Sequence, residues 1–412
     1  MNVSFRTIVT VSALFVLLSP LRPASAAPSP SPANASPAAA PAATAVPATV
    51  PPSTGSPATA ASLLSQAQID AASGRNQAAR DELQRASALD PSNLGILRLL
   101  GDVEYRLEHF QAAEAAYKAV IAKDPTDRAV HNRLGGVYAA EGRIDDAVGQ
   151  FRLSLPSQEG ITNLVEVFAE EGKLNELEAE DRSDMDRAPN DDPYTRFQLG
   201  MVLAAEKRYP ESITLYQQAI DFKSDFWEAH NGLGIVFGEV GRYSDAIAQY
   251  KRALDEHPDC FQCWMNWGVE LINSGDPNGA IEKIQKGLTI NPQFALAYMN
   301  LGVAYDATGN FQKAIELYQQ AITYDPRAPQ VYYNLGSDYF EHGLLNLAEA
   351  AFIKGIAIHP RDPSLHLALG YYYQDRRQYA QAIAEYKLAM AYDPSDSRAK
   401  SYLTQVEALS GH

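Results

Sequence analysis

Residues 295–328 read ALAYMNLGVAYDATGNFQKAIELYQQAITYDPRA, and the same pattern recurs along the chain every 34 residues. The Leu301-Gly302 pair of this stretch has in-register counterparts at residues 233–234, 335–336 and 369–370. A fixed period of this length is the signature of a protein built from stacked repeats. The repeat therefore decides the fold, ahead of any local motif.

Each repeat predicts two short amphipathic helices. Tyr298, Leu301 and Tyr305 are three and four residues apart, which places them on one face of a helix. The same spacing marks a second helix, at Ala314, Tyr318 and Ala321. Gly302 and Ala314 are small where the two helices should cross, so the backbones can approach closely and the large side chains can interlock.

Glycine and proline mark the ends of these helices. Gly309 falls between the two helices, where a left-handed C-terminal cap favours glycine, and the equivalent positions hold Gly241, Gly275 and Gly343. Pro326 should end the second helix and push Asp325 out of helical geometry. One helix pair cannot bury its own apolar face, so stability must come from stacking of neighbouring pairs.

The pattern resembles the tetratricopeptide repeat, whose signature places are held in the quoted unit by Tyr298, Leu301, Gly302, Tyr305, Ala314, Tyr318 and Pro326. The resemblance implies an all-α fold: an α-solenoid in which about ten helix-turn-helix units form a right-handed superhelix, followed by a C-terminal capping helix. Many unrelated proteins use this scaffold, so the resemblance does not identify a partner.

Residues 1–26 are typical of a secretory signal peptide. Arg6 gives a short basic start, residues 8–18 are mostly apolar, and Ala24-Ser25-Ala26 fits the cleavage rule. The alternative is an uncleaved membrane anchor, but the apolar run is shorter than the ~20 residues that a spanning helix needs. We therefore predict a secreted or periplasmic protein without direct membrane insertion after cleavage.

The rest of the chain divides into a linker, an array and a cap. Residues 27–60 are nearly all Ala, Pro, Ser and Thr, a composition that cannot bury enough apolar area to fold. Residues 61–394 form the predicted array, and residues 395–412 the capping helix. The predicted repeats span about 60–93, 94–127, 128–157, 158–192, 193–226, 227–260, 261–294, 295–328, 329–362 and 363–396.

The fourth repeat departs most from the pattern. Its second helix contains the acidic and poorly apolar run 176–186, where Leu177, Asp181 and Asp184 replace the small or aromatic residues of the other repeats. We expect the stack to be loosest at this point.

Charge narrows the range of partners. The chain has 34 Lys and Arg residues against 50 Asp and Glu residues, a formal net charge of −16. Affinity for nucleic acids depends largely on basic side chains that neutralise phosphates, and anionic membrane surfaces also attract basic segments. The balance therefore argues against both classes of partner.

In the family that the repeat resembles, the first helices line an inner groove. Carried over at matching positions, this implies a row of amides at Asn266, Asn300 and Asn334. An amide both donates and accepts hydrogen bonds, which suits the gripping of an extended backbone. Alternatively, this asparagine belongs to the repeat pattern and serves local packing.

Beside the amides the same helices carry apolar and aromatic side chains, namely Met265, Met299, Tyr333, Leu367, Val269, Val303 and Tyr371. Asp306, Glu341 and Asp375 follow further along and form an acidic edge. The predicted ligand of this peptide-binding groove is thus a protein or peptide segment that is apolar with basic flanks. The alternative is that these side chains are buried against adjacent repeats.

Cys260 and Cys263 form a Cys-x-x-Cys pair at the start of a first helix. In an exported protein two cysteines three residues apart can form a disulfide, which would act as a local staple. The alternative is a redox pair, since a helix N-terminus lowers the pKa of a thiol. Two cysteines without nearby histidines make a poor zinc site.

No catalytic motif, metal-binding motif or cofactor-binding motif occurs in the sequence. Arg98, Arg106 and Arg133 form a small basic spot, but their spacing differs from the carboxylate clamp of chaperone-binding relatives. The leading hypothesis is a non-enzymatic, exported scaffold for protein interactions. The alternatives are an accessory subunit of an envelope polysaccharide or secretion machine, and a thiol oxidoreductase acting through the cysteine pair.

Overall fold

The computed structural model describes residues 59–187 and 192–410, which form α-helices joined by short turns and, within those ranges, no strand. In chain order the helices are α1 (Ala60–Ala72), α2 (Asn76–Leu89), α3 (Leu94–Arg106), α4 (Phe110–Ile121), α5 (Arg128–Ala140), α6 (Ile144–Ser154), α7 (Gln158–Glu170), α8 (Leu174–Arg187), α9 (Pro193–Ala205), α10 (Tyr209–Phe222), α11 (Trp227–Glu239), α12 (Tyr243–Glu256), α13 (Phe261–Asn273), α14 (Pro277–Ile290), α15 (Ala295–Ala307), α16 (Phe311–Tyr324), α17 (Pro329–Glu341), α18 (Leu345–Ile358), α19 (Pro363–Asp375), α20 (Tyr379–Tyr392) and α21 (Ser397–Ser410). The signal peptide predicted at 1–26 and the linker predicted at 27–60, up to residue 58, lie outside the described residues.

The chain divides into two compact units at Leu174. The described part of the first unit is residues 59–174, and its core packs Leu63, Leu83, Ile96 and Val103 together. The second unit begins at Asn175, and its largest core cluster contains the buried aromatic rings of Tyr318, Tyr332, Phe352 and Tyr386.

Helix boundaries follow from local chemistry. The carboxylate of Asp362 accepts hydrogen bonds from the backbone N–H groups of Ser364 and Leu365, and Pro363 occupies the first turn of α19, where a missing N–H costs nothing. At the end of α16, Asp325 has the extended dihedral angles φ −136° and ψ 94°, as the following proline predicts.

The crossing point of a helix pair is as close as the sequence predicts. A Cβ atom added to Gly302 would lie 2.6 Å from Cε1 of Tyr318, which is itself fully buried. The same clash would occur between Gly234 and Tyr250 at 2.6 Å. Only glycine therefore lets the aromatic ring of the second helix approach the first helix this closely.

The turns between paired helices use the left-handed backbone region, as predicted for Gly309. That glycine has φ +82°, and the equivalent residues Gly241, Gly275 and Gly343 have φ between +72° and +87°. Lys207 and Arg377 occupy the same place in their repeats with φ +60° and +58°. The turn geometry is thus retained even where the sequence departs from glycine.

Helix α8 contributes little to the core, in keeping with its acidic sequence. Its buried residues are Leu177 and Asp181. Asp181 accepts a hydrogen bond from Nε2 of Gln198 over 2.6 Å within the second unit. At the other end of this unit, Ala399 and Val406 of α21 are buried, so this helix covers apolar surface beside α20.

No helix within residues 59–187 and 192–410 is both long enough and apolar enough to cross a bilayer.

Candidate partner-binding surface

The structure places most of the predicted groove residues in the packing between first helices. Eight of the ten side chains are between 1% and 7% exposed, namely Met265, Asn266, Val269, Met299, Asn300, Val303, Asn334 and Leu367. Met299, Val303 and Leu367 belong to the main core cluster of the second unit. This burial corrects the expectation that these eight side chains are open to a ligand, because successive first helices pack directly against one another.

Hydrogen bonds show how the buried amides are used. Nδ2 of Asn266 donates to Oδ1 of Asn231 in the preceding first helix over 3.1 Å. In the first unit, Nδ2 of Asn163 donates to Oδ1 of Asn132 over 2.9 Å, at the same two repeat positions. Burying a polar group is costly unless it is hydrogen-bonded, so these pairs serve the local packing of helices.

Tyr333 and Tyr371 are the two predicted groove residues that stay half-buried. The ring of Tyr371 lies 5.9 Å from that of Phe340 and 6.0 Å from that of Tyr402, measured between centroids. Burial raises the pKa of Tyr333. Because the other predicted groove residues are buried, the apolar side chains of the predicted groove that remain partly accessible are these two tyrosines.

The ends of the first helices form an exposed row in the second unit. The last residues of five successive first helices are all exposed: Glu239, Asn273, Ala307, Glu341 and Asp375. Three of these five are acidic. Because a helix C-terminus carries partial negative charge, carboxylates there add to an existing negative potential instead of relieving it. The row favours contact with cationic groups.

Asp306 lies one position before this row and is half-buried. Burial raises its pKa, while the charge of nearby His342 acts in the opposite direction. Of the three residues predicted to form an acidic edge, Glu341 and Asp375 are thus exposed and Asp306 is partly covered.

The sequence analysis missed a buried acid beside this edge. Asp338 is 4% exposed, and its Oδ2 has no hydrogen-bond partner among the described residues. Burial, followed by the charges of Asp306 and Glu341, raises the pKa of Asp338 to about 8. An alignment of the repeats would have revealed this acid, because the neighbouring repeats hold Ala304 and Tyr372 at the position of Asp338.

Glu270 is a second acid at the same position, two repeats earlier. It is 3% exposed, and burial raises its pKa to about 7. Unlike Asp338, it accepts a hydrogen bond from Nδ2 of Asn273 over 3.3 Å. Gly238 leaves room for it, since an added Cβ there would lie 2.2 Å from Oε1 of Glu270. The buried Glu270 carboxyl therefore has both a hydrogen-bond donor, from Asn273, and the space that it needs, beside Gly238.

Cys260 and Cys263 are joined by a disulfide. Both residues are buried, at 2% and 0% exposure, and the backbone N–H of Cys263 donates to Sγ of Cys260 at the start of α13. Trp227, Trp264 and Trp267 pack against the pair. These contacts fit a local staple and leave neither sulfur open to a substrate.

Two arginines of the predicted basic spot in the first unit pair with carboxylates, whereas Arg106 donates from Nη1 to the backbone oxygen of Ala71 over 3.4 Å. Arg98 forms an ion pair with Asp127 over 2.6 Å, and Arg133 one with Asp102 over 3.3 Å. Across 59–187 and 192–410, no three His, Cys, Asp or Glu side chains converge in a way that could hold a metal ion.

Three family models match the chain. One described as tetratricopeptide repeat matches residues 98–160, 231–293 and 333–397, and another of the same description matches 295–327. A model described as TPR repeat matches residues 200–241. Together the matches cover more than half of the chain.

A stretch of 150 residues is 27% identical to the cellulose synthase operon protein C of Pseudomonas fluorescens (strain SBW25). The match takes in 34% of this chain and only 12% of that protein, so the chain spans about an eighth of the relative's length.

Two crystal structures resemble the chain at TM-scores of 0.50 and 0.51. They are the APC/C hetero-tetramer Cut9-Hcn1, with 14% identity over 84% of this chain and 90% of that one, and a tetratricopeptide repeat protein from Parabacteroides merdae ATCC 43184, with 18% identity over 60% and 98%. At these identities the likeness concerns the fold alone.

Proposed function

The chain belongs to the tetratricopeptide repeat family, and from this premise we propose that it is an exported, non-enzymatic scaffold that binds a protein or an extended peptide. The observation that carries the proposal is the exposed row at the ends of the first helices, where Glu239, Glu341 and Asp375 recur at one repeat position. A row of side chains repeated in register suits an extended ligand better than a single small molecule.

The chemistry of this surface defines the partner. Exposed carboxylates at helix C-termini favour Lys and Arg on the ligand, and the half-buried rings of Tyr333 and Tyr371 offer apolar contact beside them. The partner is accordingly a segment with apolar residues and basic flanks. The net charge of −16 supports the same preference over a long range.

Capture by the full chain tests the proposal. The exported fraction is passed over the immobilised wild type, over Glu341→Gln/Asp375→Asn, and over the control Glu282→Gln/Glu316→Gln. The control removes two exposed carboxylates from the second helices α14 and α16. We expect one partner protein to be held by the wild type and by the control, and at least about tenfold less by the first variant, a loss of about 1.4 kcal/mol. Equal retention by all three proteins would overturn the assignment of the surface.

The proposal that the protein is exported rests on the sequence pattern of residues 1–26 and is tested separately. Residues 1–60 fused to alkaline phosphatase, which becomes active only after export, should give an active reporter. A fusion that is synthesised and stays inactive contradicts export, as would equal activity after Arg6 and the apolar run have been replaced by polar residues.

A second candidate function is that of an accessory subunit in an envelope polysaccharide machine, favoured by the similarity to the cellulose synthase operon protein C. The tryptophans Trp227, Trp264 and Trp267 pack in one cluster, so their fluorescence reports binding near that place. A shift of the tryptophan emission on titration with soluble β-glucan oligosaccharides would support this candidate. Unchanged emission together with a captured protein favours the scaffold.

A further inference from the structure

Three first helices have a buried histidine as their fourth residue. They are α5 with His131, α11 with His230 and α19 with His366, and these residues are 5%, 8% and 4% exposed. In each case Nδ1 of the ring faces an oxygen of the residue 19 positions later, on the second helix of the same repeat. The position of the ring is thus shared, and the repeats differ in the chemistry of its partner.

The partner of His366 is a carboxylate. Nδ1 of His366 lies 2.6 Å from Oε2 of Glu385 in α20, and Nε2 lies 3.0 Å from the backbone oxygen of Pro360 in the turn before α19. A backbone oxygen and an ionised carboxylate can only accept hydrogen bonds, so both ring nitrogens must donate. This arrangement therefore fits the doubly protonated, cationic imidazole.

The partner of His131 is an amide. Nδ1 of His131 lies 2.8 Å from Oε1 of Gln150, and Nε2 lies 2.9 Å from the backbone oxygen of Pro125. The amide can turn so that its NH2 group donates to Nδ1, which satisfies the neutral ring equally well. His230 has the same kind of partner, because its Nδ1 lies 2.7 Å from Oε1 of Gln249. An amide partner therefore does not require the second ring proton.

The groups around His366 favour its charged form. Glu385 on α20 and Asp362 in the preceding turn supply negative charge, and the ring of Tyr392 on α20 lies 5.5 Å from the imidazole, measured between centroids. Burial lowers the pKa of His366, but its two hydrogen bonds and the charges of Glu385 and Asp362 outweigh burial and raise the pKa. The side chains of the ion pair are only 5% and 19% exposed, so salt screens the pair little.

The His366–Glu385 pair lies in the last helix pair, which consists of α19 and α20. A terminal unit of a repeat protein has a complete neighbour on one side only, so it opens at a lower free energy than the middle of the array. Glu385 joins α20 to α19, and the bond to Pro360 joins α19 to the turn that precedes it. Loss of one proton therefore weakens a contact where the array opens most easily.

We propose that the His366–Glu385 pair is a pH-sensitive switch, which keeps the last helix pair closed while the imidazole is protonated and lets it open more readily when that proton is lost. Deprotonation of Nδ1 leaves its lone pair facing Oε2 of Glu385, so a hydrogen bond between opposite charges becomes a contact between two acceptors. The switch belongs to the folded chain and does not depend on a bound partner.

The direction of the effect follows from proton linkage. The imidazole of an unfolded or opened segment titrates near pH 6.5, and the pKa of His366 in the closed state is higher. The stabilisation by the pair is therefore complete below about pH 6.5 and is lost as the pH rises through the pKa of the closed state. Each unit between the two pKa values changes the equilibrium constant for opening about tenfold.

Glu385→Gln tests the switch and should fold, since it gives His366 the kind of partner that His131 already has in Gln150. Nuclear magnetic resonance follows the ring signals of isotope-labelled histidines from pH 5 to pH 9.5, with His366 assigned by their loss in His366→Gln. We expect His366 to titrate at least about one pH unit lower in Glu385→Gln than in the wild type.

Two further variants show whether the carboxylate partner is the cause. Gln150→Glu places a carboxylate against His131 and should raise the titration midpoint of that ring by about one pH unit above its wild-type value. Glu316→Gln removes one exposed carboxylate from α16 and should leave the titration of His366 unchanged.

Amide hydrogen exchange in α19 and α20, corrected for the intrinsic effect of pH on exchange, measures opening of the last helix pair. We expect the ratio of the opening constants, wild type over Glu385→Gln, to rise about tenfold from pH 5.5 to pH 9. Asp338 and Glu270 are present in both proteins, so their titration in this range cancels in the ratio. Exchange in α3 of the first unit should give a constant ratio.

A titration midpoint of His366 that is the same in the wild type and in Glu385→Gln would overturn the switch, as would an equal shift in Glu316→Gln. A ratio of opening constants that does not change with pH would overturn it too, because the pair would then stay intact when the helices open. An equal rise of the ratio in α3 would assign the effect to the whole chain and contradict the switch. All these measurements use the protein without a partner, so they are decided separately from the scaffold function.

Discussion

Nδ2 of Asn266 lies 3.1 Å from Oδ1 of Asn231, and this hydrogen bond between two buried amides joins α13 to α11. Asn163 and Asn132 make the same bond in the first unit. A hydrogen bond between two amides requires a particular direction of donor and acceptor, whereas apolar packing does not. The amide pair therefore favours one register between successive first helices. Asn266 is therefore part of how the repeats stack.

Replacing Asn231 with leucine should destabilise the second unit. The Nδ2 donor of Asn266 would be left buried without a partner, which costs about 1–3 kcal/mol. The double variant Asn231→Leu/Asn266→Leu should recover part of the loss, because neither polar group then remains. Urea unfolding of the three proteins measures this. A single variant as stable as the wild type, but defective in partner binding, would instead assign the amide to ligand contact.

Gly302→Ala should be destabilising although alanine is the better helix former. The new Cβ would lie 2.6 Å from the Tyr318 ring, and relief of such overpacking costs about 1–3 kcal/mol. Gly149→Ala in α6 is the control, since an added Cβ there meets nothing within 4 Å. That substitution should stabilise by about 0.5–1 kcal/mol. Thermal unfolding compares the two, and a Gly302→Ala variant at least as stable as the wild type would contradict the close crossing at Gly302.

The sequence alone predicts the structural features that the repeats share. Gly302 against Tyr318 and the left-handed turn at Gly309 follow from periodicity and from backbone sterics, so one unit predicts them all. Burial between repeats was harder to predict. Asn266 and Met299 sit on the predicted inner face, yet whether that face is open depends on how closely neighbouring first helices pack, which no single repeat encodes. Asp338 was not predicted, because the helical pattern is defined by apolar residues at fixed spacing and does not indicate that an acidic residue is buried.

The cysteine pair should act as a staple without redox activity. Cys260→Ser/Cys263→Ala should keep the fold and lose about 2 kcal/mol of stability, the value that loop entropy gives for so short a closed loop. Both sulfurs are buried in the disulfide form, so the wild type should not catalyse the reduction of insulin by dithiothreitol. Catalysis by the wild type that disappears in the double variant would revive the oxidoreductase hypothesis.

Two buried acids predict how stability depends on pH. Burial and neighbouring carboxylates raise the pKa of Asp338 to about 8, and burial raises that of Glu270 to about 7. In the unfolded chain these groups ionise near pH 4. Between pH 4 and pH 8 the folded state therefore binds more protons than the unfolded state, so the free energy of unfolding contributed by these groups falls as the pH rises through that window and levels off above it.

The double variant Asp338→Asn/Glu270→Gln should remove most of this dependence. An amide keeps the shape and hydrogen-bonding capacity of the protonated acid but cannot ionise, so the variant should gain stability over the wild type progressively from pH 5 to pH 9. Urea midpoints of the unliganded proteins at five pH values measure the difference. Glu282→Gln/Glu316→Gln, at exposed carboxyls of α14 and α16, controls for the loss of two negative charges. Parallel curves for the wild type and the double variant would show that water or a bound cation already satisfies the ionised acids.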